Sequence, residues 1–155
     1  MNKTETPPEF ARIQCACTNL KMASRVVGRA YDAFLAPFDL NVTQYAILVN
    51  VSRYQPVSQM KLAAHLNLER TTLYREVAPL AKKKWLKISA TSKGVTKTLE
   101  LTPSGQEVVK QAIVEWEKIQ NGFTDNFGKE RWNEFLTTLE EIREYFSFRN
   151  LGVPL

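Results

Sequence analysis

Histidine and cysteine are scarce in this chain. Among 155 residues there is one histidine, His65, and two cysteines, Cys15 and Cys17. A single residue separates the two cysteines, a spacing that suits no structural disulfide on helical geometry. Without further partners it suits no tetrahedral metal site either. A fold held together by covalent staples is therefore excluded, and a reducing compartment is implied. The six glycines form neither a phosphate-cradling loop nor a G-x-S-x-G elbow. Enzyme activity, a bound metal and a cofactor are accordingly not expected. No run approaches the ~18 apolar residues of a membrane span. The polar stretch Met1 to Glu9 has no apolar core of the signal-peptide kind. The expectation is a cytoplasmic protein with no membrane contact.

What is present is globular. Hydrophobic residues make up 44% and charged residues 24%, a balance that can bury a core. The net charge of +5 is unevenly spread. From Arg70 to Lys97 there are eight basic residues and one acidic residue, Glu76, so this window carries +7 and the rest of the chain −2. A basic window in an otherwise slightly acidic chain is the footprint of a polyanion-binding surface. The acidic residues near the other end, Glu140, Glu141 and Glu144, read as a solvated face.

The two ends of the chain carry long helical patterns. Phe10, Ile13, Cys17, Leu20, Ser24, Val27, Tyr31 and Phe34 alternate steps of three and four, which predicts an amphipathic helix ended by Pro37. Val109, Ala112, Trp116, Ile119 and Phe123 do the same, as do Trp132, Phe135, Leu139, Ile142 and Phe146. Thr102-Pro103 is a good start for the first of these two, with Thr as cap and Pro at the first helical position. Gly122 to Gly128 is read as the break between them. Narrow apolar stripes of this kind suit packing against a second copy, so a homodimer built from both termini is expected.

The middle has a different texture. A short helix is predicted from Thr43, as N-cap, to Tyr54. Another follows a Ser58 cap, and a third runs from Glu69 to about Lys83 with Leu73, Val77 and Leu80 inward and Pro79 inside it. Leu86 and Ile88 flank Lys87, and Leu99 and Leu101 flank Glu100. With Ser92-Lys93-Gly94 between these runs, the pattern is a hairpin with a basic tip.

Taken together, Gln59 to Leu80 reads as a helix-turn-helix. Ala63 lets the helices cross closely, Asn67 suits a turn residue with positive φ, and Leu62, Leu66, Leu68 and Leu73 form the shared core. The second helix exposes Arg70, Thr71, Tyr74 and Arg75, with Thr72 beside them. These donors suit phosphates and base edges, and the N-terminal part of such a helix enters the major groove. Lys93 and Lys97 would reach the flanking backbone or minor groove from the hairpin.

At this point the chain resembles the MarR-type winged helix-turn-helix regulators, from about Arg12 to Phe146. The resemblance rests on Tyr31-Asp32-Ala33-Phe34-Leu35-Ala36-Pro37, Thr43-Gln44-Tyr45, Leu62-Ala63 through Leu80, and Leu99-Glu100-Leu101-Thr102-Pro103-Ser104-Gly105. It implies a mostly α fold with a small β-hairpin wing. The whole of 1–155 forms one subunit, with a winged helix-turn-helix lobe at about 40–102 and dimerisation helices at about 8–37 and 103–148. It further implies double-stranded DNA as partner, a palindromic operator, and a transcriptional repressor relieved by a small ligand or an oxidant. The chain departs from the family where Asp and Arg often stiffen the wing, since Lys93 and Val95 stand there. Cys17 lies fourteen residues before Tyr31, where the peroxide-sensing branch carries its reactive cysteine, and is the candidate redox sensor. Two further tyrosines of that branch are replaced by Lys21 and Val42. A small-molecule effector would instead sit among Tyr31, Phe34, Phe38 and Tyr45. The alternative function is a protein–protein interaction module using the apolar stripes and the basic patch. Salt separates the two readings, because DNA binding weakens steeply as counterions are released.

Overall fold

The structure, a computed structural model, describes residues 15–90 and 96–146. Lys93 and Val95 lie outside the described residues. The chain divides after Ala112 into two compact units.

The first unit contains α1 (Ala16–Leu35), a 3-10 turn (Ala36–Phe38), α2 (Val42–Tyr54), β1 (Val57–Ser58), α3 (Gln59–His65), α4 (Arg70–Lys82), β2 (Leu86–Ala90), β3 (Lys97–Leu101) and the start of α5 (Pro103–Phe127). Its core joins Ile47, Leu48 and Val51 of α2, Leu62 of α3, Leu73, Val77 and Leu80 of α4, and Leu99 of β3, each at most 1% exposed. Each such side chain contributes about 1.5–3 kcal/mol of transfer free energy. Leu66 and Leu68, expected beside Leu62 and Leu73 in this core, are only half-buried.

The strands form one antiparallel sheet in the order β1-β3-β2. The hairpin register runs from Leu86 opposite Leu101 to Ala90 opposite Lys97. The third strand, β1, sets Val57 opposite Leu99. It was not expected, because two residues are too few to show a period.

Two expected boundaries are corrected. Asn41, not Thr43, caps α2. Its side chain accepts from the Gln44 backbone N–H at 2.8 Å, and the Gln44 side chain accepts from the Asn41 N–H at 3.3 Å. This reciprocal box satisfies two otherwise orphaned donors at once and outcompetes a lone Thr one turn in. The start of α5 is as expected, with the Thr102 hydroxyl accepting from the Gly105 N–H at 3.1 Å.

The second unit holds the rest of α5 and α6 (Lys129–Tyr145). Here the expected break at Gly122 to Gly128 narrows to Gly128 alone. An isolated Gly costs a helix only about 1 kcal/mol, so α5 runs through Gly122. Gly128, at φ 79, adopts a backbone that other residues enter only with strain. Trp132 stacks on Phe123 with centroids 4.7 Å apart. No residue of α6 is buried, and Phe135 and Phe146 of the predicted stripe are 46% and 57% exposed. On α1 the stripe is likewise uncovered at Cys17 and Phe34, half-covered at Leu20 and Val27, and buried at Tyr31. Among the described residues, no helix is long and apolar enough to cross a membrane.

Candidate nucleic-acid interface

α3 enters behind Ser58, whose hydroxyl accepts from the Lys61 N–H at 3.2 Å. It leaves at Asn67, φ 51, where the Leu68 N–H returns to the Ala63 carbonyl at 2.8 Å. Asn tolerates this left-handed turn better than a branched residue would, and the turn launches α4.

On α4 the buried positions 73, 77 and 80 define the inner side. Arg70, Thr71, Tyr74 and Arg75 are exposed on the other, with Thr72 half-buried between them. The first turn of α4 contains no acidic residue, and Glu69 makes no side-chain cap. Its unsatisfied N–H groups and dipole therefore face outward beside Arg70, an arrangement that favours an anion.

The middle and the C-terminal end of this helix are fixed to the start of α2 and the loop before it. Near the middle, Glu76 accepts from the side-chain amides of Asn41 and Gln44, each at 3.2 Å, and pairs with Arg75 Nε at 3.2 Å. Partial burial pushes the Glu76 carboxyl up, but the bonds from Asn41, Arg75 and Gln44 together outweigh burial and hold it below its ordinary value. After the last turn, Lys83 Nζ reaches the Asp39 carbonyl and carboxylate, each at 2.6 Å, and lies 4.6 Å from the Trp85 ring centroid.

These contacts sort the basic window. Lys83 is spent on Asp39, Arg75 is shared with Glu76, and Lys87 faces Glu100 at 3.9 Å. Arg70, Lys82, Lys84 and Lys97 have no acidic partner among the described residues. Lys97 is exposed at the start of β3. Lys93 falls outside the described residues, so the hairpin tip is represented by Lys97 alone. The sequence reading missed Gln55, whose side-chain oxygen accepts from the Leu101 N–H at 2.7 Å and ties β3 to the end of α2. No local pattern signals that contact.

Comparison with known proteins supplies the family. The chain is 30% identical over 108 residues to HTH-type transcriptional regulators of uncharacterized function from Bacillus cereus and Bacillus anthracis, covering 70% of this chain and 72% of theirs. It is 30% identical to the transcriptional regulator MosR of M. tuberculosis, solved in complex with DNA, at a TM-score of 0.74 over 84% of this chain and 97% of that one. The S. aureus MepR–DNA complex has the same fold at 18% identity, TM-score 0.77, over 86% of this chain and 99% of MepR. The chain belongs to the MarR family. No family model matches it.

As a MarR-type DNA-binding transcriptional regulator, the protein shows what its strand-to-helix motif does. Thr102 caps α5 while its hydroxyl donates to the Lys84 carbonyl at 2.6 Å. Gly105 lies so close to the Trp85 carbonyl that a Cβ there would sit 2.1 Å from its oxygen. The motif thus fastens α5 to the segment between α4 and the hairpin.

Of the proposed sensing residues, Tyr31 and Tyr45 are buried, Phe38 is half-buried and Phe34 is 43% exposed. Cys15 and Cys17 are both free and exposed. Cys15 stands at the N-cap of α1. The Thr18 hydroxyl, then the Thr18 backbone N–H, lower its thiol pKa.

Proposed function

We propose that this MarR-type protein is a cytoplasmic repressor that binds a palindromic double-stranded operator as a homodimer. The observation carrying this reading is the face of α4: Arg70, Thr71, Tyr74 and Arg75 are exposed with Thr72 beside them, while Leu73, Val77 and Leu80 hold the helix from behind. In this reading Arg70 and the first-turn N–H groups take phosphate. Thr71, Thr72, Tyr74 and Arg75 meet base edges, and Lys93 and Lys97 touch the flanking backbone. The residues at about 40–102 form the DNA-binding lobe. Those at about 8–37 and 103–148 form the dimer, whose second copy covers the stripe positions left open on α1 and α6. Two recognition helices then enter successive major grooves about 10 base pairs apart.

Release follows from any event that stops both helices fitting at once. A small ligand and oxidation of Cys17, or of its neighbour Cys15, are the two inputs considered. Selection of bound duplexes from a random double-stranded library tests the core of the proposal. Enrichment of an inverted repeat with half-sites about one turn apart is expected. Recovery of no motif, with binding absent even at low salt, would overturn it.

A further inference from the structure

Glu76 is the one carboxylate in the basic window, and it sits beside a residue assigned to base edges. An acidic side chain there repels phosphate, so its presence on the recognition helix needs a reason.

The start of α2 supplies half of that reason. The Asn41 carbonyl oxygen is occupied by the Gln44 N–H, and the Gln44 carbonyl oxygen by the Asn41 N–H. Neither amide can flip without breaking the cap, so both NH2 groups point away from it as donors. The segment is anchored from behind as well, since the Val42 N–H donates to Asp32 Oδ1 of α1 at 2.7 Å. Two fixed donors converge on position 76 of α4, and an ionised carboxylate, which only accepts, answers both. Asn41 and Gln44 each reach Glu76 Oε2 at 3.2 Å. The Glu76 side chain is accordingly 15% exposed, while that of Arg75 is 73% exposed.

The other oxygen, Oε1, accepts from Arg75 Nε at 3.2 Å. Neighbouring residues on a helix point about 100° apart, so they do not ordinarily meet. Arg75 bends toward Glu76 to make this contact. An exposed ion pair between two loose side chains contributes little, but here one partner is immobile. A guanidinium held at Nε keeps its terminal Nη groups for another acceptor, and these form the planar fork that matches guanine O6 and N7.

We propose that Glu76 is a positioning residue for base readout: it holds Arg75 by Nε, presents the Nη fork to a guanine, and so sets the preference at one operator position. This rests on the assignment of Arg75 to the operator. Fixing the side chain before binding removes the cost of ordering it on DNA.

The test uses the full chain. The Nε–H signal of Arg75 in nitrogen–proton spectra, assigned by its loss in Arg75→Lys, should exchange with water more slowly than that of Arg70, which has no acidic partner among the described residues. Glu76→Gln should bring the two together. Equal exchange in the wild type overturns the pairing.

DNA comes second. A selected operator and its single-base variants locate the position whose preference is lost in Arg75→Ala. There, Glu76→Gln should lower the ratio of affinities for preferred and substituted operators about two- to ten-fold, and leave the ratios at other positions as they were. In the Arg75→Ala background it should lower that ratio no further. Affinity for random-sequence DNA should rise, because an acidic charge leaves the basic window. A merely structural Glu76 would instead lower affinity for every sequence alike, and that result overturns the proposal. A sharper preference would mean that Glu76 withholds Arg75 from DNA, which overturns it too. Asn41→Ser guards against loss of fold. Ser still caps α2 but lacks the amide that reaches Glu76, and should lower the same ratio. A ratio unmoved by both variants sinks the proposal alone. A wild-type chain that binds no DNA at low salt sinks the regulator reading, and this proposal with it.

Discussion

The side-chain amide of Asn41 donates to the carboxylate of Glu76 at 3.2 Å, joining the cap of one helix to the flank of the recognition helix. The same Asn41 caps α2 through its carbonyl oxygen. One side chain therefore fixes where α2 starts and where α4 lies against it. This matters for a DNA reader, because base contacts require a rigidly held helix.

Glu76→Gln should destabilise the fold by about 1–2 kcal/mol at neutral pH, the worth of hydrogen bonds to a charged acceptor. The folded-state pKa of Glu76 lies below its ordinary value. Its contribution is therefore complete above the ordinary carboxylate value and disappears as pH falls through the depressed folded value. Urea midpoints of wild type and variant should differ at pH 7 and converge toward pH 3. An equal difference at both pH values would show that Glu76 acts through shape, not charge.

Gly105→Ala should cost about 2–3 kcal/mol or more, the scale of overpacking against an immovable neighbour. The obstacle is the Trp85 backbone carbonyl, 2.1 Å from the new Cβ, and not a side chain able to rotate away. Thermal unfolding reads the loss. A variant as stable as the parent would mean that α5 starts elsewhere.

Much of this was legible in the sequence for local reasons. Leu73, Val77 and Leu80 announce the inner side of α4 by their spacing, and Asn67 announces the turn because few residues accept its φ. Ser58 and Thr102 cap helices where their short hydroxyls stand next to apolar runs. What was not legible depends on partners distant in the chain. The Lys83–Asp39 pair removes one charge from the basic window across 44 residues. The Gln55–Leu101 bond spans 46. Thr43 resembled a cap until Asn41 and Gln44 satisfied each other first.

DNA recognition should separate by residue. Arg75→Ala should cost about 1–3 kcal/mol and relax preference at one operator position if the guanidinium reads a base. Lys97→Ala should weaken binding uniformly across sequences and reduce the salt slope by about one phosphate contact. Fluorescence anisotropy at several salt concentrations distinguishes the two. Unchanged affinity in Arg75→Ala would leave Arg75 as a partner of Glu76 only.

The uncovered stripes make a mass prediction. Sedimentation of the full chain should give a dimer, and Phe135→Asp combined with Leu20→Asp should give a monomer, since a charge in an apolar seam cannot be desolvated cheaply. Operator affinity should fall with dimerisation while the helical content of the protomer is kept. A wild-type monomer at micromolar concentration would require another partner for these faces.

Cys15 and Cys17 should react at different rates. Both thiols are exposed, so access does not separate them. Cys15 stands at the N-cap of α1, with the Thr18 hydroxyl and N–H favouring its thiolate, and the thiolate is the nucleophile. Limited alkylation with iodoacetamide near neutral pH, read by peptide mass spectrometry, should label Cys15 first, and the preference should shrink as pH rises toward the ordinary thiol value. Cys17 on the stripe should become slower still if a second copy covers α1. Faster labelling of Cys17 would instead favour the family-derived sensor position over the one set by the helix cap.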